Sequence, residues 1–231
     1  MSNGQPWRVY TEEMRRTFIA AVVVALMASS LAAQRPKTPV KKTPAKTAAT
    51  KTVTPDVKCP SLIGMGVKTV RSFCDVLAGR DPSEGIVVSL PPHSGEGTLT
   101  FDLHARHTYS EDEMNRGKPY ARYHAVIGVL TPKGDLLARG EVEAEFRTAG
   151  DLFDRIGGGA GPGGLKAVAP AGREPISAQI PADVNQVSLL GETLDAVTSA
   201  GHETAVMPGR PVAIVSNVLF EYKPAVGKKK R

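Results

Sequence analysis

The sequence predicts an all-β protein whose folded domain is an antiparallel β-sandwich, with a jelly roll as the more specific form. Most of residues 59–224 alternate apolar and polar side chains with a period of two, which is typical of half-buried strands. Turns that contain Gly, Pro or Asp recur between these stretches at short spacing. Only two stretches have the pattern of a helix, and both are short.

Eight strands are predicted from alternation or from short apolar runs. In residues 98–104, both leucines and Phe101 share one face, and the polar side chains share the other. Residues 136–147 carry glutamates on one face, which predicts a half-buried strand near a sheet edge. Residues 61–79 fit either a pair of strands or a short helix. In chain order, the predicted strands are residues 86–90, 98–104, 121–131, 136–147, 176–180, 186–190, 193–198 and 211–222.

Two short helices are expected to interrupt the strands. Ser110, followed by acidic residues up to Glu113, is a capping-box pattern, and acidic side chains are favoured at the positive end of a helix. Gly117 is expected to end this helix. Residues 151–156 predict a second helical turn or two, which Gly157 ends.

The N-terminus has the pattern of an export signal. Arg15 and Arg16 precede the uncharged run 17–33, which ends in small residues, so residues 1–33 are predicted to be a signal peptide. The apolar part is shorter than the roughly 20 residues that a spanning helix needs, although a membrane anchor at 17–33 is the alternative. Met14 is an alternative start of a compact signal peptide. We therefore expect a periplasmic or secreted protein.

A disordered linker is predicted between the signal peptide and the folded domain. Residues 34–58 consist mainly of Lys, Thr, Pro, Ala and Val and contain no aromatic side chain. Such a segment has too little apolar surface to form a core. The domain boundaries that follow are 34–58 for the linker, 59–224 for the β-sandwich and 225–231 for a basic tail.

The basic charge of the chain belongs to its ends. The formal net charge is +6, yet residues 59–227 carry more acidic than basic side chains. A protein that binds a phosphate backbone usually carries its basic patch on the folded domain, so no nucleic-acid partner is expected. The basic linker and tail either contact an anionic envelope surface or serve as solvated spacers.

The two cysteines of the chain, Cys59 and Cys74, are predicted to form a disulfide. Two cysteines in an exported protein are expected to pair, because the environment outside the cytoplasm is oxidising. No Gly-x-Ser-x-Gly motif is present, so the sequence assigns no catalytic residue and leans against an enzyme.

The candidate ligand site lies between residues 102 and 124, where ionisable and aromatic side chains are concentrated. On a strand, Asp102, His104 and Arg106 share a face that is expected to point outward, and His107 points away from it. The tyrosines of this region are either part of the site or pack against the adjacent sheet. The candidate residues are Asp102, His104, Arg106, His107, Tyr109, Tyr120, Tyr123 and His124.

A metal site is an alternative interpretation of the same region. If the strands containing residues 102 and 124 pair, Asp102, His104 and His124 would offer two imidazoles and a carboxylate to a divalent ion. A one-residue change in register would separate them, which leaves a hydrogen-bonded surface network as the other interpretation.

The glycine-rich run 157–164 formally matches a dinucleotide-binding pattern. It follows a predicted helix and precedes a strand-like stretch, which is not the context of such a site, so no cofactor is expected. The run is predicted to be a flexible loop, with a flap over a site as the functional alternative.

These observations favour an exported, non-catalytic β-sandwich protein that binds a glycan, a polymer or a protein in the cell envelope or the extracellular space. The first alternative is a hydrolase or metal-dependent enzyme that uses Asp102, His104 and His124. The second is a structural subunit of an assembly, whose edge strands pair with a partner.

Overall fold

The computed structural model describes residues 49–117, 119–204 and 207–225. The predicted signal peptide, most of the predicted linker and residues 226–231 of the basic tail lie outside the described residues. No helix within the described ranges is long and apolar enough to cross a membrane.

Strands dominate the described part of the chain. One short α-helix, α1 (Glu111–Asn115), follows the sixth strand, and 3₁₀ turns cover Pro82–Glu84 and Ala149–Asp151. The strands of the described part are β1 (Lys51–Val53), β2 (Asp56–Lys58), β3 (Leu62–Met65), β4 (Ser72–Leu77), β5 (Ile86–Ser89), β6 (Gly97–Ser110), β7 (Ala121–Leu130), β8 (Leu136–Phe146), β9 (Gly159–Gly161), β10 (Gly164–Ile180), β11 (Gln186–Thr198), β12 (Gly201–Glu203) and β13 (Pro211–Tyr222).

The strands form two antiparallel sheets with the order of a jelly roll. The β6 sheet has the order β3-β4-β13-β6-β10-β9, with β1 also paired to β13. The β7 sheet has the order β2-β5-β11-β7-β8, with β12 also paired to β11. The pairs β7–β8, β6–β10, β5–β11 and β4–β13 enclose one another and alternate between the sheets. The predicted all-β sandwich is therefore confirmed, and its strand order is that of a jelly roll.

The main core lies between the two sheets and follows from the alternation in the strands. Phe101 from β6, Ile127 from β7 and Phe220 from β13 are buried in this core. The glutamates of β8 are exposed on the outer face of the edge strand, as predicted. Burial of these apolar side chains is the main favourable contribution to folding.

The disulfide between Cys59 and Cys74 is present, as predicted, with a Cα–Cα distance of 5.9 Å. Cys74 lies on β4, and Cys59 follows β2 directly. The bond therefore joins a strand of the β6 sheet to the chain that leaves the β7 sheet. The ambiguous segment 61–79 is resolved as a strand pair, β3 and β4.

Helix α1 confirms the capping pattern, whereas the second predicted helix is absent. The Ser110 side chain accepts a hydrogen bond from the Glu113 backbone N–H at the start of α1. The helix predicted over 151–156 is wrong, because this segment runs extended beside β10, and the backbone N–H groups of Phe153 and Ile156 donate to β10 carbonyls. Apolar residues at helical spacing here serve to cover a sheet face instead.

Two segments predicted to lack regular structure are strands. The last residues of the predicted linker form β1 and β2, and Val53 and Val57 pack partly buried against the core. The folded part therefore begins before residue 59. The glycine-rich run forms a hairpin in which β9 pairs with the start of β10, so it is not an unstructured loop.

Part of the outer face of the β6 sheet is covered by residues 66–71, which follow the edge strand β3, and by residues 152–156. A second apolar cluster forms there from Phe73, Ile156 and Ile214, with Phe153 partly buried against it. The buried carboxylate of Asp154 holds the two covering segments together.

Asp154 accepts hydrogen bonds from the backbone N–H groups of Lys68 and Thr69, both at 2.9 Å, and from the Thr69 hydroxyl. A further bond comes from the backbone N–H of Arg155. Burial acts to raise the pKa of Asp154, but these hydrogen bonds outweigh it and hold the pKa below the ordinary 3.8.

The substitution Asp154→Asn is expected to lower the free energy of unfolding by about 2 kcal/mol. The amide presents N–H groups where the native carboxylate presents an acceptor, so at least one backbone donor at Lys68 or Thr69 loses its partner. Urea denaturation measures the difference. Asp151→Asn is the matched control, because Asp151 caps exposed N–H groups. This substitution should lower the free energy of unfolding by less than half as much as Asp154→Asn. Equal effects of the two substitutions would contradict the role of Asp154.

Candidate functional site

The structure divides the predicted site residues among different faces of the sandwich. On β6, His107 and Tyr109 point into the interior, whereas Asp102, His104 and Arg106 lie on the outer face of the β6 sheet. The division follows the alternation of a strand, as predicted for His107. These side chains nevertheless do not form one site.

The residues contributed by β7 divide in the same way. Tyr123 points into the interior and joins His107, whereas His124 lies on the outer face of the β7 sheet, where its Nε2 is 3.5 Å from a Glu141 oxygen. Tyr120 precedes β7 and is 39% exposed.

The predicted metal site at Asp102, His104 and His124 is wrong. It requires β6 and β7 to pair, but the two strands lie in opposite sheets. Asp102 and His104 lie outside the β6 sheet, and His124 lies outside the β7 sheet, so the whole sandwich separates them. Within the described ranges, no three His, Cys, Asp or Glu side chains are placed to hold a metal ion together.

The outer-face residues form a buried polar network rather than a solvent-facing site. The Asp102 carboxylate accepts from Arg71 Nη1 at 2.7 Å and lies 3.1 Å from Arg173 Nε. Arg106 Nε donates to Asp75 at 2.8 Å. The expectation that this face points into solvent is wrong for Asp102 and His104, because two arginines lie against Asp102 and Phe153 packs on His104.

A pocket of about 310 Å³ opens at one end of the sandwich, between the two sheets. We call it the end pocket. It lies where β6 ends and β7 begins, beside the start of β13 and the end of β11, and α1 contributes to its rim. Four predicted site residues line it, together with further polar side chains. The polar lining residues are Arg106, His107, Tyr120 and Tyr123 from the predicted set, with Thr108, Ser110, Glu113, Lys166, Thr198, Ser199, Glu203 and Arg210.

A hydrogen-bonded pair, His107 and Tyr123, lies at the base of the end pocket. His107 Nδ1 is 3.0 Å from the Tyr123 hydroxyl, and the imidazole stacks on Phe146 with the ring centroids 3.9 Å apart. Burial lowers the pKa of His107 to about 4. Burial, helped by the Glu113 charge, raises the pKa of Tyr123 to about 12. Both groups are therefore neutral at pH 7, and the base of the pocket is polar without being charged.

The rim of the end pocket carries charges of both signs. Arg210 pairs with Glu203 at 2.6 Å, while Lys166 and Glu113 add one charge of each sign. The Arg147 guanidinium lies 5.7 Å from the centroid of the Tyr120 ring. Tyr109 belongs to the core, where it contacts Phe146 edge-on, so it packs between the sheets as the alternative interpretation stated.

Several lining residues of the end pocket were not among the sequence candidates. Lys166 follows the glycine-rich run, and Arg210 lies in the turn before β13. Thr198 ends β11. No local pattern marks these residues, because they come together only when the jelly-roll order brings these strand ends to one end of the sandwich.

The fold and the pocket define the chain as a jelly-roll β-sandwich with a polar cleft between its sheets. No protein-family model matches the chain, and a search of curated proteins finds no match. A fold hosts many functions, so the function is argued from the site alone.

Proposed function

We propose that the protein is exported and that it binds a short glycan in the end pocket. The observation that carries the proposal is the polar lining of a cleft between two sheets, around the neutral pair of His107 and Tyr123. A cavity with a few convergent polar groups is the usual form of a small-ligand site.

The lining of the end pocket suits a ligand with many hydroxyl groups. Thr198 offers a hydroxyl that both donates and accepts hydrogen bonds, and Lys166 and Glu113 offer a charged donor and a charged acceptor. The charges nearly balance, since Arg210 is neutralised by Glu203 and Arg106 by Asp75. A neutral or weakly charged sugar is therefore a better match than a polyanion.

Tyr120 offers the aromatic surface that sugar-binding sites commonly use. Its ring is 39% exposed at the rim of the pocket. An aromatic ring with a polar tip binds ligands that are apolar on one face and hydrated on the other. The volume of about 310 Å³ lies at the lower end of the range for small-ligand sites, which favours a short glycan or the end of a polymer.

The disulfide supports export. Disulfides persist in oxidising compartments and are rare in reducing ones. The bond between Cys59 and Cys74 thus agrees with the signal peptide predicted at residues 1–33. In this proposal the basic segments before and after the domain contact the anionic envelope and keep the domain near it.

The test is titration calorimetry of the intact protein with a panel of short neutral and uronic-acid-containing oligosaccharides. Binding to at least one member is expected, and Tyr120→Ala should weaken it about tenfold because the stacking surface is lost. His124→Ala is the matched control, since His124 is an exposed ring on the outer face of the β7 sheet. Absence of binding across the panel, or equal weakening by both substitutions, would overturn the proposal.

A further inference from the structure

A second cavity, of about 580 Å³, lies at a gap in the β6 sheet. We call it the β13 cavity. Strand β4 pairs with β13 up to Val215, and β1 pairs with β13 from Phe220 onward on the same side. Residues Ser216–Leu219 of β13 therefore have neither strand beside them, and the cavity occupies this gap. It is separate from the end pocket.

The walls of the β13 cavity are mostly apolar and its polar groups are few. Arg71, Ser216 and Asn217 contribute the polar side chains close to the sheet. The apolar walls are formed by the disulfide together with Val57, Leu62, Val215, Val218 and Leu219. An apolar cavity with a small convergent polar group is the most common form of an active site.

Ser216 and His104 form a hydrogen-bonded pair beside this cavity. His104 Nε2 is 3.0 Å from Ser216 Oγ, and His104 Nδ1 is 2.7 Å from the Gly172 carbonyl oxygen. A carbonyl can only accept, so Nδ1 carries the proton and donates it to Gly172. The Nε2 atom then has a free lone pair and accepts from the Ser216 hydroxyl. This is the orientation that a general base needs beside a nucleophilic serine.

Packing holds the imidazole in this orientation. The ring of His104 lies between Phe153 at 4.6 Å and Phe73 at 5.7 Å, measured between ring centroids, and it is fully buried. Burial lowers the pKa of His104, so the ring is neutral at pH 7. The charged groups facing it are Asp102, which favours protonation, and Arg71 and Arg173, which oppose it.

We propose that Ser216 is the nucleophile and His104 the general base of an acyl-transfer site that opens into the β13 cavity and hydrolyses esters with an apolar acyl group. This goes beyond the glycan-binding function and uses a different site. Ser216 is 2% exposed and lines the cavity, so the proposal takes this cavity as the route by which a substrate reaches its hydroxyl.

The reaction is a two-step hydrolysis with water as the co-reactant. Ser216 Oγ attacks the acyl carbon while its proton passes to His104 Nε2. The bond from the acyl carbon to the alcohol oxygen then breaks, and the alcohol leaves with that proton. Water attacks the acyl-serine in the same way, releasing the carboxylic acid and restoring Ser216. The Gly172 carbonyl holds the imidazole ring through both steps.

The apolar walls set the substrate class. Val57, Leu62 and Val218 would contact the acyl chain of an ester, and none of them offers a hydrogen bond to a sugar. Arg71 and Asn217 also line the cavity, where both donate to the Asp102 carboxylate and so form a polar wall beside Ser216. A butyryl ester should therefore react faster than an acetyl ester.

The direct test is covalent labelling of the intact wild-type protein with a fluorophosphonate, followed by peptide mapping. One adduct per chain on Ser216 is expected, and none in Ser216→Ala. Ser188→Ala is the matched control, because Ser188 is also buried and hydrogen-bonded but lies on β11, and it should label as the wild type does. A missing adduct, or an adduct on another residue, would overturn the proposal. The mapping of the adduct in the wild type does not depend on how the variants fold.

Turnover gives a second test with p-nitrophenyl butyrate and p-nitrophenyl acetate. Ser216→Ala is expected to lower kcat/KM for the butyrate at least about a hundredfold, and Ser188→Ala should leave it unchanged. Because burial lowers the pKa of His104, the rate of the wild type should hold through pH 6.5 and fall only at a more acidic pH, where the imidazole becomes protonated. Equal rates in the wild type and Ser216→Ala would contradict the proposal. Neither result bears on glycan binding at the end pocket.

Discussion

Removing the disulfide through the double substitution Cys59→Ala and Cys74→Ala is expected to lower the free energy of unfolding by about 3 kcal/mol. The bond closes a loop with a sequence separation of 15 residues and so restricts the unfolded chain. Cys74 is also buried in the main core, so its replacement leaves unfilled space there. Urea denaturation monitored by circular dichroism measures the loss.

Reduction of the wild-type protein provides the control for this prediction. Reduction breaks the same bond without changing either side chain to alanine, so it should account for most of the loss. A difference below about 1 kcal/mol between the oxidised wild type and the double variant would contradict the role of the disulfide.

Acidification from pH 7 to pH 4 is expected to lower the free energy of unfolding by about 3 kcal/mol through His107 alone. Burial holds the pKa of His107 at about 4 in the folded protein, against 6.5 as the ordinary value. Between these values the unfolded chain binds a proton that the folded protein does not bind. The stabilisation is therefore complete above pH 6.5 and is lost as the pH falls toward 4.

The measurement is urea denaturation at several pH values in the wild type and in His107→Phe. The phenyl ring keeps the contact with Phe146 but does not titrate, so the variant should lose most of the slope between pH 4 and 6.5. Burial of His104 acts in the same direction and leaves a residual slope. The hydrogen bonds of Asp154 hold its pKa below 3.8, so the stabilisation that they provide is lost only below about pH 3.8 and does not affect the slope between pH 4 and 6.5. An unchanged slope in His107→Phe would contradict the prediction.

Much of the fold follows from local patterns in the sequence. The period-two alternation predicts β13 with the bounds that the structure has, and β7 and β8 to within one residue. The strand β10 is longer than predicted because Pro170, Gly172 and Pro175 interrupt its alternation, and the register shifts between Ala171 and Glu174. The helix predicted over residues 151–156 is wrong because apolar spacing does not distinguish a helical face from an extended segment that covers a sheet.

The candidate site was only partly predictable, because alternation shows which residues share a face but not what covers that face. Asp102 and His104 share a polar face, as predicted, yet residues 152–156 bury it from far along the chain. The predicted contact between His104 and His124 is wrong because the chain crosses from the β6 sheet to the β7 sheet between β6 and β7. Ser216 lies 112 residues from His104, and no local motif marks it as a partner.

The central claim, that the end pocket binds a glycan, is tested most directly by mapping backbone amide chemical shifts during titration with an oligosaccharide that binds. The account predicts that the largest changes fall on Thr108, Tyr120, Tyr123 and Thr198, which approach one another only at the end pocket. Changes concentrated on the outer face of β8, or around Ser216–Leu219 at the β13 cavity, would contradict it.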